Sequence, residues 1–328
     1  MNITTAHGGG GKLTSDLIQN IFLRHFSNST LNQLEDAAIL RLPSSQIAFT
    51  TDSFVVTPLF FPGGDIGRLA VCGTVNDLLM RGATPKYLSA GFILEEGLSL
   101  EILDRVAASM AEAAAEAGVQ IVTGDTKVVE GSGGLYINTS GIGILESPAD
   151  ISVHNAAPGD AVVISGPMGN HHACILSARM DIENSIHSDC VPLVQMVHAL
   201  IQSGLPIHTL RDITRGGLAS VLHEIAMASR VHIALDGSIP LADDMVQGFC
   251  DILGLEPIYM GNEGKLAMVL PMAHANAALA ILRACPYGSG ARMIGEIRTG
   301  TSGLSISTQA GGTRSLTPLL GEGLPRIC

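Results

Sequence analysis

The printed sequence ends on a residue with obvious chemistry, Cys328, whose thiol has no following residue to limit how deeply it enters a pocket. Glycines at 311–312, 321 and 323 loosen the chain before it, and Pro325 stiffens the last step. This pattern predicts a mobile arm, residues 315–328, that carries a reactive sulfur to a site built elsewhere. The alternative is a frayed terminus without function, as many chain ends are.

Several acidic residues of the first half stand where helix and strand patterns do not require them. Asp36 precedes a predicted strand, Asp52 ends one, Asp125 follows one, and Asp77 lies beside Asn76 in an apolar helix. Asn and Asp are poor residues within helices because their side chains compete for backbone hydrogen bonds. Mg²⁺ binds a few carboxylates together with nucleotide phosphate oxygens. The group therefore predicts a metal–nucleotide site, and the alternative for each acid is a helix cap or a turn.

Three other stretches have residue types suited to anions or proton transfer. The segment RDITRGG at 211–217 puts two glycines at a helix start, where N–H groups and the helix dipole favour a phosphate. Arg211 and Arg215 add cationic contacts there, although an ordinary capping loop has the same pattern. Glu263, on a turn before a strand, is a candidate general base, and Lys127 is placed to meet an anion. A solvated turn acid and an ordinary surface lysine are the alternatives.

The elements that must position these residues follow from hydrophobic periodicity and from helix start and stop residues. In the first half the pattern predicts strands at 37–42, 47–56, 119–123 and 135–145, and helices at 15–26, 66–81 and 99–117. Asp65 is predicted to cap the second helix, and Gly82 and Gly118 to end the second and third. The GDTK segment at 124–127 is expected to follow its strand directly, where ligands often meet a sheet.

The second half shows the same mixture of elements after a linker at 148–158. The pattern predicts strands at 161–165, 265–270, 291–298 and 303–308, and helices at 171–180, 191–203, 217–229, 243–253 and 273–284. Strands and helices do not alternate strictly, so we expect an α+β fold. The predicted organisation is an N-terminal arm (1–34), two domains (35–150 and 151–314) and the tail (315–328).

Composition restricts the class of partner. Apolar residues make up 46% of the 328 residues and charged residues 15%, which permits a large core. A net charge of −12, no tryptophan and no basic block argue against a nucleic-acid partner. We find no export signal and no apolar run of membrane-spanning length, so a cytoplasmic protein with reduced thiols and no membrane partner is expected. The six cysteines lack CxxC spacing, which disfavours a structural zinc site.

Taken together, these stretches resemble one known family, the HypE carbamoyl dehydratases of hydrogenase maturation. The resemblance runs from about His7 to Cys328. Its motifs are TTDS at 50–53, PGGDIG at 62–67, GTVNDL at 73–78, GDTKVV at 124–129, NTSGIG at 138–143, RDITRGG at 211–217, NEGK at 262–265 and PRIC at 325–328. The terminal PRIC is the most specific of them, because the wider superfamily of aminoimidazole ribonucleotide synthetase and selenophosphate synthetase lacks it.

The resemblance implies a two-domain PurM-like fold. It implies a homodimer in which the N-terminal sheets pair into a barrel, a C-terminal mixed sheet with helices, and a flexible C-terminal tail. A partner carbamoyltransferase loads a carbamoyl group onto the sulfur of Cys328. ATP phosphorylates the carbamoyl oxygen, and loss of phosphate leaves a thiocyanate. The cyano group then passes to iron on a maturation scaffold complex, on its way to a nickel–iron hydrogenase.

The resemblance also assigns roles to individual residues. Cys328 carries the substrate, and Glu263 and Lys127 are the positions implied for removal of the N–H protons. Magnesium is implied at Asp36, Asp52, Asp77 and Asp212. Nucleotide contacts are implied at these four acids and at Asn76, Asp125, Thr126, Asn138, Thr139 and Gly141.

Two departures from the family and two competing functions accompany this interpretation. The chain has Gly169-Asn170-His171-His172 where a Gly-Asp-His-Gly turn is usual, and a left-handed backbone at His172 is expected to be strained. Ile213 stands where proline is usual, with little consequence expected. The competing functions are another ATP-using enzyme of the same fold, such as a small-molecule kinase, and a non-catalytic scaffold that uses the tail for docking. No cysteine lies near the N-terminal glycines, which argues against a selenophosphate synthetase.

Overall fold

The first half of the chain forms a four-stranded sheet with helices on one face. The computed structural model describes residues 2–8, 12–34, 37–43, 46–145, 150–308 and 310–317. The helices of this half are α1 (Lys12–Leu17), α2 (Leu23–Phe26), α3 (Ile66–Leu79) and α4 (Leu100–Ala117), with a π-helical turn over Ile18–Phe22. The strands are β1 (Ile47–Phe54), β2 (Phe60–Phe61), β3 (Gly64–Asp65), β4 (Thr84–Glu95), β5 (Gln120–Val129) and β6 (Leu135–Ile144).

The sheet has the strand order β1-β6-β4-β5, antiparallel except for the β4–β5 pair. Helix α3 packs on β1 and β6 and is almost wholly buried. The side chain of Asp65 accepts hydrogen bonds from Gly67 N (2.7 Å) and Arg68 N (3.0 Å), as its predicted capping role requires. Ser99 caps α4, and Gly118 ends it with φ +69°.

Two predictions for this half were wrong, and one strand was missed. The described residues 37–43 contain no strand; Ile39 is 87% exposed, so the apolar run there does not reach the core. Strand β4, in the centre of the sheet, was missed because Pro85 and small residues weaken its strand signal. The GDTK segment lies inside β5 rather than after it. A Cβ at Gly124 would lie 2.5 Å from Ala90 O, so close approach to β4 requires this glycine.

The second half forms a seven-stranded mixed sheet with the order β13-β12-β9-β11-β7-β10-β8. Its strands are β7 (Asp160–Ile164), β8 (Thr209–Asp212), β9 (His232–Leu235), β10 (Leu266–Pro271), β11 (Arg292–Arg298), β12 (Gly303–Ser307) and β13 (Thr313–Leu316). Its helices are α5 (Asn170–Arg179), α6 (Val194–Gln202), α7 (Gly217–Ser229), α8 (Asp244–Leu253) and α9 (Ala275–Ala284). Strands β8, β9 and β13, of four residues each, were too short to show a period. Strand β13 includes residues 315 and 316, which the sequence analysis placed in the tail.

The turn before α5 also differs from the expectation. The left-handed residue is Gly169, with φ +91°, and the helix begins at Asn170. His172 therefore has a helical backbone, and the expected strain at this residue is absent. Among the described residues, no helix has the length and apolar character needed to cross a membrane.

The two halves share one hydrophobic core that runs from α3 and α4 into α6 and α9. Polar contacts reinforce it where the loop 187–193 of the second half meets the β2–β3 turn and α3. Ser188 N donates to Pro62 O (2.8 Å), and Arg68 Nε donates to Cys190 O (2.8 Å). A second core cluster lies between α7 and the C-terminal sheet. The boundary between the halves is thus a packed interface, and side chains from both sides can form one site.

Candidate active site

Asp52 and Asp77 form the N-terminal half of an acidic cluster. Asp52 lies on β1 and points at α3, because a Cβ at Gly73 would be 3.6 Å from Asp52 Oδ2. Asp77 lies on α3, and its Oδ2 accepts a hydrogen bond from Thr50 Oγ1 at 2.9 Å. Positions 50 and 52 share one face of β1, since side chains alternate along a strand. Strand and helix therefore hold the two carboxylates in the same crevice.

Asp212 and Glu263 form the C-terminal half of the cluster. Asp212 ends β8 and is paired with Leu266 at the start of β10, so the turn that carries Glu263 lies beside it. Two backbone bonds fix this arrangement, Ile213 N to Lys265 O at 2.8 Å and Asn262 N to Ile213 O at 3.2 Å. Both acidic side chains are buried. The fold thus brings together Asp52, Asp77, Asp212 and Glu263, four of the predicted site residues.

The four carboxyl groups influence each other's ionisation. Burial raises the pKa of Asp52 and of Asp77, and the charge of Asp52 raises the pKa of Asp77 further. Burial and the charge of Asp77 raise the pKa of Asp212 to about 7. Burial, followed by the charges of neighbouring acids, raises the pKa of Glu263 well above its usual value. Without a cation the cluster is electrostatically unfavourable, and Glu263 is suited to take up a proton.

Arginines of the RDITRGG segment, expected from the sequence to contact a phosphate, lie next to this cluster. The charge of Arg215 lowers the pKa of Asp52, and the charge of Arg211 lowers those of Asp77 and Asp212. Gly216 and Gly217 have φ values of +78° and +64° where α7 begins. A Cβ at Gly217 would lie 2.5 Å from Tyr259 C, so close packing also requires that glycine.

Asn76 has a different environment from the one predicted. Its amide is buried between the two halves of the chain. Asn76 Nδ2 donates to Val191 O (3.1 Å) and Glu263 O (3.4 Å), and Asn76 Oδ1 accepts from Leu193 N (2.9 Å). The polar residue inside an apolar helix is thus explained by the backbone of the second domain, which it holds against α3.

Thr139 and Gly141 lie beneath α3. Thr139 is fully buried, and its hydroxyl contacts Thr74 Oγ1 and donates to Ala70 O at 3.3 Å. A Cβ at Gly141 would lie 2.8 Å from Thr74 Cγ2. Packing of α3 on β6 therefore accounts for both residue types.

Asp125, Lys127 and Asn138 lie on the opposite face of the sheet, whereas Thr126 alternates with its neighbours and shares the helix-covered face with its strand partner Phe92. Asn138 and Lys127 are exposed on the opposite face, and Asp125 is in register with Asn138 across β4. Asp125 and Thr126 also border a cavity of about 220 Å³ between β5 and the N-terminal helices. Strand β5 is three strands from β1, a separation of about 14 Å at the usual spacing of ~4.8 Å. One chain therefore does not bring Lys127 to Glu263.

The acidic cluster has donor groups suited to the expected Mg²⁺ when a nucleotide supplies further oxygens. Among the described residues, no three His, Cys, Asp or Glu side chains form a group that could hold a metal ion. Asp36 and Cys328 lie outside the described residues. Mg²⁺ usually takes one or two carboxylates plus substrate phosphates, and a divalent cation relieves the repulsion among these acids. Asp52, Asp77 and Asp212 therefore fit Mg²⁺ bound together with a nucleotide.

Comparison with known proteins identifies the family. Residues 34–145 match the model of the AIR synthase related protein N-terminal domain, and residues 157–305 match that of its C-terminal domain. The carbamoyl dehydratase HypE of Rhodobacter capsulatus is 46% identical over 336 residues, covering 99% of this chain and 98% of that protein. The chain belongs to the HypE family of carbamoyl dehydratases. The resemblance inferred from the sequence motifs is thereby confirmed, and so is the enzyme class.

Solved HypE structures agree in fold. A crystal structure of HypE in complex with ATP is 47% identical, covers 99% of both chains and has a TM-score of 0.95. A crystal structure of a HypE–HypF complex matches at 45% identity with a TM-score of 0.81, covering 92% of this chain and 99% of that chain. The predicted two-domain α+β architecture is therefore confirmed.

Sequence reasoning missed one buried acid of the site, Asp189. It lies in the loop between α5 and α6, and its Oδ1 accepts a hydrogen bond from Glu263 N at 3.0 Å. Its charge is the largest influence after burial that raises the pKa of Glu263. No motif or periodicity marks this position, because its partner is 74 residues away in the chain.

Proposed function

We propose that this chain uses ATP to dehydrate a carbamoyl group on the sulfur of Cys328, and that the resulting thiocyanate supplies the cyano ligands of iron in nickel–iron hydrogenase maturation. The observation that carries the proposal is the interdomain acidic cluster, where carboxylates suited to a metal–nucleotide lie beside a buried glutamate of raised pKa. The HypE structure in complex with ATP, at 47% identity, supports the nucleotide.

The reaction balances as follows. The carbamoyl oxygen attacks the γ-phosphorus of ATP and ADP leaves, which turns a poor leaving group into a phosphate ester. Removal of two N–H protons and cleavage of the C–O bond then give S–C≡N and inorganic phosphate. The oxygen of the lost water thus ends in phosphate.

The residues of the chain divide these tasks. Glu263 takes a proton from the carbamoyl nitrogen as the general base, and its raised pKa makes its carboxylate a stronger proton acceptor. Arg211 and Arg215 bind the triphosphate anion near the start of α7. Asp52, Asp77 and Asp212, with Asp36 as a further ligand, would hold Mg²⁺, whose positive charge would offset the negative charge of the phosphates. The tail, residues 318–328, excludes water when Cys328 enters the cleft.

A homodimer completes the site in this proposal. The open face of the N-terminal sheet carries exposed Ile47, Phe49 and Ile93, which is typical of an interaction surface. Pairing of two such faces into a barrel covers these side chains. It also brings the β5 edge of one protomer, with Lys127, towards the acidic cluster of its partner. Lys127 then assists proton removal, and Asp125, Thr126 and Asn138 contact the nucleotide.

Two further partners belong to the proposal. A carbamoyltransferase loads Cys328, and the HypE–HypF complex, solved with a 45% identical relative, supports such a partner. An iron-carrying scaffold complex accepts the cyano group. The thiol of Cys328 must be free when it accepts the carbamoyl group, so we place the reaction in the reducing cytoplasm.

The deciding measurement is the intact mass of the C-terminal peptide of partner-carbamoylated protein, before and after addition of Mg²⁺ and ATP. We expect loss of one water from the Cys328 peptide. Cys328→Ala should acquire no carbamoyl group, whereas the matched control Cys285→Ala should behave as wild type. A carbamoyl group that persists while ATP is bound would make the tail a carrier only. Absence of any carbamoyl group on Cys328 would overturn the family-based assignment of the substrate.

A further inference from the structure

The loop that carries Asp189 contacts the first domain, and the Asp189 side chain contacts the segment that carries Glu263. Its side chain is only 6% exposed, and its Oδ1 accepts the backbone N–H of Glu263 at 3.0 Å. The side chain of Lys265 is 9% exposed, and its Nζ lies 3.8 Å from Asp189 Oδ2. That oxygen has no hydrogen-bond partner among the described residues. Asp189 therefore lies between the backbone of Glu263 and the side chain of Lys265, two residues further along the chain.

The loop that carries Asp189 is fixed from three sides. Asn76 holds Val191 O and Leu193 N, and Ser188 N bonds to Pro62 O in the first domain. A Cβ at Gly264 would lie 2.0 Å from Asp189 O, so only glycine permits this approach. The position of Glu263 is thus defined relative to α3, which carries Asp77.

Stability alone is a weak reason for such an arrangement. A buried carboxylate loses its hydration, and attraction to a single lysine 3.8 Å away offsets this desolvation free energy only in part. An apolar side chain would fill the same space at lower cost. What an apolar residue cannot provide is an acceptor for the N–H of Glu263 and a negative charge next to its carboxyl group.

We propose that Asp189, held by Lys265, is a positioning residue for the proton transfer to Glu263, a role that rests on the dehydration proposed above. Asp189 fixes the backbone of Glu263 through the N–H bond, so that the carboxyl group faces Asp52 and Asp212. As the phosphate ester decomposes, the nitrogen–hydrogen bond breaks and the proton passes to the carboxylate of Glu263. The C–O bond to phosphate breaks, and the third C–N bond of the cyano group forms.

The experiment is a double-mutant cycle on carbamoylated protein, followed by single-turnover water loss from the Cys328 peptide after addition of Mg²⁺ and ATP. We expect Asp189→Ala to slow water loss about 100-fold, the cost of misplacing a reacting group by about 1 Å. Asp189→Asn keeps an oxygen for the N–H and should be slowed only about 10-fold. If Asp189 acts through Glu263, combining either change with Glu263→Gln should slow the reaction no further than Glu263→Gln alone.

Asp160→Asn is the matched control. Asp160 is also a buried acid of the second domain, but its partner is His208 Nδ1 at 2.8 Å, away from Glu263. We expect a rate within about twofold of wild type, as for changes outside the reacting groups. ATP affinity should be unchanged in the Asp189 variants, since within the described part of the chain Asp189 bonds to Glu263 N and lies near Lys265 Nζ rather than bonding to Asp52, Asp77 or Asp212.

Lys265→Met tests the same arrangement should an Asp189 variant fold poorly. Its stem keeps contact with Gly166 while the ammonium group is lost. It should slow water loss about 10-fold and be non-additive with Glu263→Gln. Wild-type rates in the Asp189 and Lys265 variants, or effects that multiply with that of Glu263→Gln, would overturn the inference. A wild-type protein that loses no water would instead overturn the proposed function.

Discussion

Helix α3 covers one face of the N-terminal sheet, whereas the opposite face carries exposed Phe49 and Ile93. On the covered face Asp52, Asp77 and Thr139 have defined partners or neighbours within the chain. On the open face Lys127 and Asn138 lie at the surface. The difference shows that one chain preorganises the acidic residues, and it supports our proposal that the rest of the site depends on what covers the open face.

The largest expected effect is at the covered side. Glu263→Gln removes the proton acceptor but leaves the carboxylates for Mg²⁺, so water loss should fall about 10²–10⁴-fold, the usual contribution of general base catalysis. ATP should still bind, as equilibrium dialysis can show. An unchanged rate of water loss would assign the base to another residue and weaken the contrast between the two faces.

A charged substitution on the open face should weaken the proposed homodimer. Phe49 is 67% exposed, and Phe49→Asp places a charge on the surface proposed to pair. We expect the dimer dissociation constant to rise about 100-fold, as for loss of a central aromatic contact, measured by analytical ultracentrifugation. Ile252→Asp is the matched control, because Ile252 is 84% exposed on α8 and outside that face. Equal dissociation of both variants would contradict the proposed surface.

Asp212 should make the apoprotein less stable as pH rises. Its pKa is raised to about 7, against about 3.9 when unfolded, so the folded state binds the extra proton and stability falls between these values. Asp212→Asn removes this dependence. The difference in free energy of unfolding between this variant and wild type should be about 2 kcal/mol larger, in favour of the variant, at pH 8 than at pH 5.

The control for this prediction lies in two buried histidines. Burial lowers the pKa of His171 to about 3 and that of His172 to about 4, so both favour folding as pH rises towards 6.5. Their effect is common to both proteins and cancels in the difference between denaturant titrations. If the stability difference between Asp212→Asn and wild type does not grow between pH 5 and pH 8, ionisation of Asp212 does not destabilise the folded state.

The smallest expected effect is at Lys127. Lys127→Met should lower the rate about 10-fold, the size of one exposed charged contact in a completed site, and leave the melting temperature unchanged because the side chain is exposed. Mixed dimers of Lys127→Met and Asp77→Asn chains should regain activity if the two faces of different protomers form one site. Mixed dimers without activity would show that both residues serve the same chain.

Local signals in the sequence predicted many elements but few of the contacts in the site. Asp65 and Gly118 act within one turn of chain, and the helix ends they predict are those observed. Strand β4 and the short strands β8, β9 and β13 went unpredicted, because pairing with neighbours rather than local propensity stabilises them. Motifs named Asp52, Asp77, Asp212 and Glu263, and the family resemblance grouped the three aspartates at one magnesium site, but the contacts that bring these residues together could not be predicted.

The sequence by itself determined the family, through motifs spread from residue 50 to the closing PRIC, and it determined the helices whose caps are local. Only the tertiary structure decided that Asn76 bonds to the second domain, that Gly141 makes room for α3, and that Asp189 supports Glu263. The physical reason is distance along the chain. A capping side chain bonds to backbone groups about three residues away. The role of a buried carboxylate or amide depends on partners that only folding brings within hydrogen-bond reach.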